Sequence, residues 1–316
     1  MIKIPLGKTG ILVPPLCFGT LTVSPLQANL PHEAAGELLA YAFEQGITFL
    51  DTAQYYENYP HIRAGLDRTQ SDVVVATKTY AYDKAGAVAA VEEARRALGR
   101  DVIDIFLLHE QESIHTLRGH WEALETLWDY KARGVIRAVG ISTHRVSGVR
   151  GAIEVGLDVI HPLINRVGYG IMDGTRQDME NALMDAASAG IGIYSMKSLA
   201  GGNLFREAEE SLRYAFSLPY VQSRAIGMQS RDEVDANIHF AITGSFTEAQ
   251  REALAAKRRR MIVEEECRGC GKCVARCGQN AVKIEMNTKK AVIDNKKCVM
   301  CGYCAKICPE CAIKII

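Results

Sequence analysis

Nine of the chain's ten cysteines lie between Cys267 and Cys311, and their spacing can do metal chemistry. They form two runs, Cys267-x2-Cys270-x2-Cys273-x3-Cys277 and Cys298-x2-Cys301-x2-Cys304-x3-Cys308-Pro309. A cubane iron–sulfur cluster needs four thiolates around four irons. Three can come from one tight loop, while the fourth must approach from elsewhere. Gly269, Gly271 and Gly302 let the backbone bend around an inorganic core and turn N–H groups toward its sulfurs. Paired C-x2-C motifs also build zinc ribbons. Two complete four-cysteine runs weigh against zinc and predict two [4Fe–4S] clusters. Cys311 and Cys17 fall outside both runs and read as plain thiols.

The double run resembles the bacterial two-cluster ferredoxins, in which the fourth cysteine of each run ligates the other cluster. That resemblance implies Cys267, Cys270, Cys273 and Cys308 for one cluster, and Cys298, Cys301, Cys304 and Cys277 for the other. Gly278 stands where the pattern prefers a proline after the first run. Ala281–Met286 and Ala291–Asp294, between the runs, read as short strands of the internally repeated ferredoxin fold.

A second set of residues lies far upstream. Asp51, Lys78 and His109 each stand at the end of an apolar run. The strand candidates that must position them are Leu16–Gly19, Thr48–Asp51, Val73–Lys78, Ile103–His109, Ala138–Ser142, Val159–Ile164, Ile191–Met196 and Arg224–Met228. Helical patterns alternate with them, as at Ala34–Gln45, Ala87–Leu98, Trp121–Arg133, Arg176–Ala189 and Arg231–Thr243. Nearly wholly apolar strands suit a parallel sheet covered on both faces. Eight such units in about 250 residues predict a (β/α)8 TIM barrel, whose chemistry sits at the C-terminal ends of its strands. The predicted fold is therefore α/β: a TIM barrel over residues 1–246, a helical linker over 247–266, and a small ferredoxin-like α+β domain over 267–316. Ile2–Pro15 reads as a hairpin laid before the first barrel strand.

The segment Phe49-Leu50-Asp51-Thr52-Ala53-Gln54-Tyr55-Tyr56 resembles the Asp-Thr-Ala-x-x-Tyr signature of the aldo-keto reductases. Val75-Ala76-Thr77-Lys78, Asp104-Ile105-Phe106-Leu107-Leu108-His109 and Gly140-Ile141-Ser142 resemble further strands of that family. The resemblance implies that Tyr56 is the general acid, that Lys78 lowers its pKa, that Asp51 holds Lys78, and that His109 orients a carbonyl. It also implies a nicotinamide cofactor, NADPH or NADH, gripped near Gly19, Thr20, Ser142, Thr143, Asn165, Arg166, Lys197, Gly227, Met228 and Asn237. Several of these depart from the family. Thr143 replaces an asparagine, Arg166 a glutamine, and Lys197 the aromatic residue that stacks on the nicotinamide. Gly227 and Glu233 stand where basic residues hold a 2′-phosphate, while Asn237 keeps the adenine-side position.

Charge balances, with 37 Lys plus Arg against 37 Asp plus Glu, so bulk charge points to neither nucleic acid nor a membrane surface as a partner. MIKIPLGKTG lacks a signal-peptide core, and thiol-rich metal sites suit a reducing compartment; the expectation is a cytoplasmic protein. The expected substrate is a small carbonyl or alcohol. Nicotinamide moves two electrons at once and a [4Fe–4S] cluster one, and no Gly-x-Gly-x-x-Gly fingerprint for a flavin is present. Three arrangements stay open: structural clusters beside an ordinary reductase, clusters wired to a partner flavoprotein, or a barrel fed by reduced ferredoxin. The expectation is that the clusters transfer electrons; the alternative is an electron-transfer or redox-sensing subunit whose barrel binds a nucleotide without turnover. Lys257-Arg258-Arg259-Arg260 reads as a solvated helix face or a docking patch, and Gly201-Gly202 as a tight turn or a place where phosphate or substrate nears the backbone.

Overall fold

The computed structural model describes residues 1–316. Two short strands, β1 (Ile4–Pro5) and β2 (Leu12–Val13), pair as the expected hairpin. Eight parallel strands follow: β3 (Leu16–Gly19), β4 (Phe49–Asp51), β5 (Val74–Thr79), β6 (Ile103–Leu108), β7 (Ile136–Thr143), β8 (Val159–Pro162), β9 (Gly192–Ser195) and β10 (Ser223–Ile226). They run in sequence order, and β10 closes on β3, completing a barrel. Its helices are α1 (His32–Glu44), α2 (Tyr59–Leu66), α3 (Lys84–Leu98), α4 (Ile114–Gly119), α5 (Trp121–Ala132), α6 (Val146–Val155), α7 (Arg176–Ser188), α8 (Ala208–Ser217) and α9 (Arg231–Thr243).

Two cores explain why the strands are apolar throughout. Ile105 and Leu107 of β6 point into the barrel, where they meet Cys17, Phe49, Val74, Ala138 and Tyr194. Phe106 and Leu108 of the same strand point outward into a 51-residue layer shared with the helices. Alternate residues thus face different apolar environments, so polar alternation never appears. Leu6, Ile11 and Val13 belong to the inner core, so the hairpin plugs the barrel's N-terminal end. The chemistry is left to the other end.

After the barrel, α10 spans Glu248–Ala256, with Thr247 as its N-cap and reciprocal hydrogen bonds to Gln250. The expected helix over 247–266 stops there. Met261–Val263 is a strand, β11, held antiparallel by the last strand of the chain. The C-terminal unit adds α11 (Lys272–Arg276), β12 (Val282–Ile284), β13 (Ala291–Ile293), α12 (Tyr303–Lys306) and β14 (Ile313–Ile315). Its halves repeat each other. Gly271 and Gly302, at φ +74° and +75°, each open a short helix that carries the third cysteine of a run. No helix is long and apolar enough to cross a membrane.

The unit lies across the C-terminal ends of the barrel strands. Arg260 donates to the Gln27 carbonyl (3.0 Å), Tyr169 to Ala305 (3.0 Å) and Asn203 to Ile313 (3.1 Å). Tyr55, beside the catalytic candidate Tyr56, donates to Glu265.

Candidate active site and cluster cavities

Asp51 ends β4, Lys78 lies near the end of β5, His109 follows β6, and Tyr56 closes a 3-10 turn after β4. The barrel brings all four together. Lys78 Nζ donates to Asp51 Oδ2 (2.8 Å), the Thr52 carbonyl (2.7 Å) and the Tyr56 hydroxyl (3.4 Å). The lysine is 1 % exposed, so its charge depends on these partners. Asp51 Oδ1 accepts from the Tyr194 hydroxyl (2.8 Å) and lies 3.6 Å from His161 Nε2. His109 stacks on Tyr80 at 4.4 Å between centroids and meets the edge of Tyr56 at 5.8 Å. Its buried Nδ1 has no partner.

Burial pushes the Tyr56 phenol well above the usual tyrosine range, and Asp51 and Glu110 add to the effect. The phenol therefore stays neutral beside Lys78. Burial, with Lys78 beside it, holds His109 well below the ordinary histidine value and therefore neutral. His161 is lowered to about 4 by burial. Sequence reasoning missed His161, Tyr194 and Tyr80. The first two sit inside apolar strands, where they look like core residues, and Tyr80 follows β5 with no motif around it.

The positions expected to grip a dinucleotide also gather at this end, but their polar groups are largely occupied. Thr20 donates to the Asp51 carbonyl (2.8 Å). Ser142 Oγ accepts from Glu110 N (2.9 Å), and Thr143 Oγ1 accepts from Arg145 N (3.0 Å). Asn165 spends both ends of its amide on the backbone of Tyr169 (2.8 and 3.0 Å). Arg166 pairs with Glu210 at 3.6 Å, while its buried Nε has no partner. Asn237 donates back to Glu233 on its own helix (2.8 Å). Met228 is fully buried, and Gly19 packs against the chain at Ile226 and Gly227. A side chain at Gly227 would collide with Thr22. Lys197, at φ +59°, is lowered to about 8 by burial and by the neighbouring Lys314 of the C-terminal unit.

The cysteines fall into two quartets, each lining its own cavity. One cavity is lined by Cys267, Cys270, Cys273 and Cys308, the other by Cys277, Cys298, Cys301 and Cys304. No three metal-ligating side chains converge tightly enough to hold a single ion. A full quartet of thiols lining each cavity fits the four thiolates that a cubane cluster requires. Backbone N–H groups of Ala291, Ala281 and Met300 point at the sulfurs of Cys267, Cys277 and Cys298 at 3.3, 3.3 and 3.4 Å. Such bonds support thiolate and cluster charge. Cys311 is outside both cavity linings, and Cys17 is buried in the barrel core.

Family comparison agrees with this architecture. Residues 15–212 match the aldo/keto reductase family, and residues 260–309 match a 4Fe-4S dicluster domain. The chain belongs to the aldo/keto reductase family. It is 29 % identical over 138 residues to a 9,11-endoperoxide prostaglandin H2 reductase of Trypanosoma cruzi, covering 40 % of this chain and 44 % of that one. It is 25 % identical over 189 residues to a D-threo-aldose 1-dehydrogenase of a Pseudomonas species, covering 49 % and 57 %. The chain thus spans about half the length of these curated relatives. A putative aldo-keto reductase from Pseudomonas aeruginosa shares the fold, with TM-score 0.66 and 24 % identity over 77 % of this chain and 95 % of that one. An aldo-keto reductase from Bacillus halodurans in its holo form gives TM-score 0.66 and 22 % identity, covering 81 % and 95 %.

Proposed function

We propose that this iron–sulfur oxidoreductase reduces the carbonyl group of a small molecule, or oxidises the corresponding alcohol, with Tyr56 as the acid or base. The observation that carries this reading is the Tyr56 hydroxyl 3.4 Å from Lys78 Nζ, beside a neutral His109 with an unpartnered Nδ1. Reduction adds two electrons and two protons to the carbonyl. Tyr56 gives one proton to the oxygen as negative charge builds there, and the Lys78 ammonium stabilises the phenolate left behind. His109 stands where it can hold the oxygen in line. Asp51 keeps Lys78 charged and oriented, at 2.8 Å.

The two cysteine quartets hold the clusters, which when bound supply electrons one at a time. The partner is then a reduced ferredoxin or a flavoprotein, in a reducing cytoplasm that preserves the thiolates. Family membership alone would favour NADPH or NADH as the reductant, and the grip residues described above bear directly on that choice.

Anaerobic turnover of an aldehyde and ketone panel with a reduced viologen tests the acid. A Tyr56→Phe variant should lose about 10²–10⁴-fold in rate while its cluster absorption stays unchanged. Undiminished turnover would remove Tyr56 from the chemistry.

A further inference from the structure

The groove in which the family lays its dinucleotide is filled in this chain by the chain itself. At the nicotinamide end, the loop after β9 carries Lys197 in place of an aromatic ring, followed by Gly201 and Gly202. Those glycines neither form a free turn nor leave room for phosphate. Ile315 N donates to the Gly201 carbonyl (3.0 Å), and Asn203 donates to the Ile313 carbonyl (3.1 Å). Gly202 lies so close to β14 that a Cβ there would stand 1.9 Å from the Ile315 carbonyl oxygen. Lys314, 5 % exposed, lies against Gly201, and its Nζ is 3.4 Å from Glu264.

The adenosine end is filled as well. Lys257 Nζ pairs with Glu233 Oε1 (2.7 Å) and donates to Ser230 Oγ (2.7 Å), and Glu233 is one of the positions where the family resemblance expects a basic residue. Glu233 Oε2 already accepts from Gln229 N (2.6 Å). Arg259 stacks over Phe205 at 4.7 Å and donates to the Leu254 carbonyl (2.8 Å). The basic run is therefore neither a solvated helix face nor an open docking patch; three of its four members strap the C-terminal unit to the barrel, with Arg260 on Gln27.

We infer that this barrel excludes NADPH and NADH: β14 and the Lys257–Arg260 strap occupy the dinucleotide groove, and the docked cluster unit takes the dinucleotide's place as the electron source. Single electrons then enter from a low-potential one-electron donor protein; two such transfers, with one proton from Tyr56 to the carbonyl oxygen and one from solvent to the carbon, balance one carbonyl reduced to an alcohol. The inference rests on the carbonyl-reduction reading for what the electrons do, but nucleotide exclusion does not.

The test uses the full-length, cluster-loaded protein under anaerobic conditions. NADPH and NADH are titrated to millimolar concentration by nucleotide fluorescence, with hydrogen–deuterium exchange followed at residues 257–263 and 313–316. The expected result is no saturable binding and unchanged exchange. Saturable binding with faster exchange at 313–316 would show nucleotide displacing the strand, and would overturn the inference. Saturable binding with unchanged exchange would overturn it too, because nucleotide and strand would then coexist. Binding is read without turnover, so the Tyr56→Phe result and this one fail or stand separately.

Discussion

Asp51 ties the side chains of the candidate site together. It accepts from Lys78 and Tyr194, and it lies against His161, all inside the barrel. Asp51→Asn leaves the Lys78 ammonium buried without its counter-charge, which costs about 3–5 kcal/mol. Urea unfolding followed by far-UV circular dichroism should show that loss, and Asp51→Asn combined with Lys78→Met should recover much of it. His161 makes stability depend on pH. Its folded value of about 4 lies below the ordinary histidine value of about 6.5. The unfolded chain therefore takes up that proton first as pH falls. Stability is full above about 6.5 and is lost progressively toward about 4, with His109 and His144 acting in the same direction. Unfolding free energies between pH 7 and 5 should fall, and His161→Gln should flatten the slope; an unchanged slope would mean that His161 is protonated in the fold. Asp51, Lys78, Tyr56 and His109 were legible because each stands at or just beyond a strand end. The raised phenol was not legible, because burial, its largest cause, and Glu110 reach it only through the folded arrangement of loops distant in sequence.

Elements with both faces buried announced themselves. β5 and β6 are buried at every position, and no other reading suits such runs. Strand β11 was hidden, because its partner β14 lies about fifty residues away and the basic run before it looked helical. Short strands of this kind are fixed by pairing rather than by propensity. The same pairing gives Gly202 its role, which no local pattern reveals. At φ +80° and against Ile315, a methyl group at this position adds backbone strain to a steric clash. Gly202→Ala should raise amide exchange at residues 313–316 and lower unfolding stability by about 1–3 kcal/mol. Amides of β5 and β6 should stay protected. If exchange at 313–316 is unmoved, β14 is not docked on this loop.

At the scale of the whole molecule, the two units differ sharply in how they can hold together. The barrel has a 51-residue outer core and a separate inner one, enough to fold without help. The C-terminal unit has a core of eight buried residues, two of them Cys273 and Cys304. Units of this size rarely stand on so little apolar burial without metal or disulfide support. The eight cysteines lining the two cavities would supply that support as cluster ligands, beside the docking contacts on the barrel. The strap and β14 then depend on the clusters, and so does the contact of Lys314 with the loop that carries Lys197 and Gly201. Anaerobic removal of iron with a chelator should therefore abolish exchange protection in residues 261–316 while β3 through β10 remain protected. Limited proteolysis should cut the apo chain after α10 and spare the barrel. A C-terminal unit that keeps its protection without iron would locate its stability in docking alone, and would free the clusters from any structural duty.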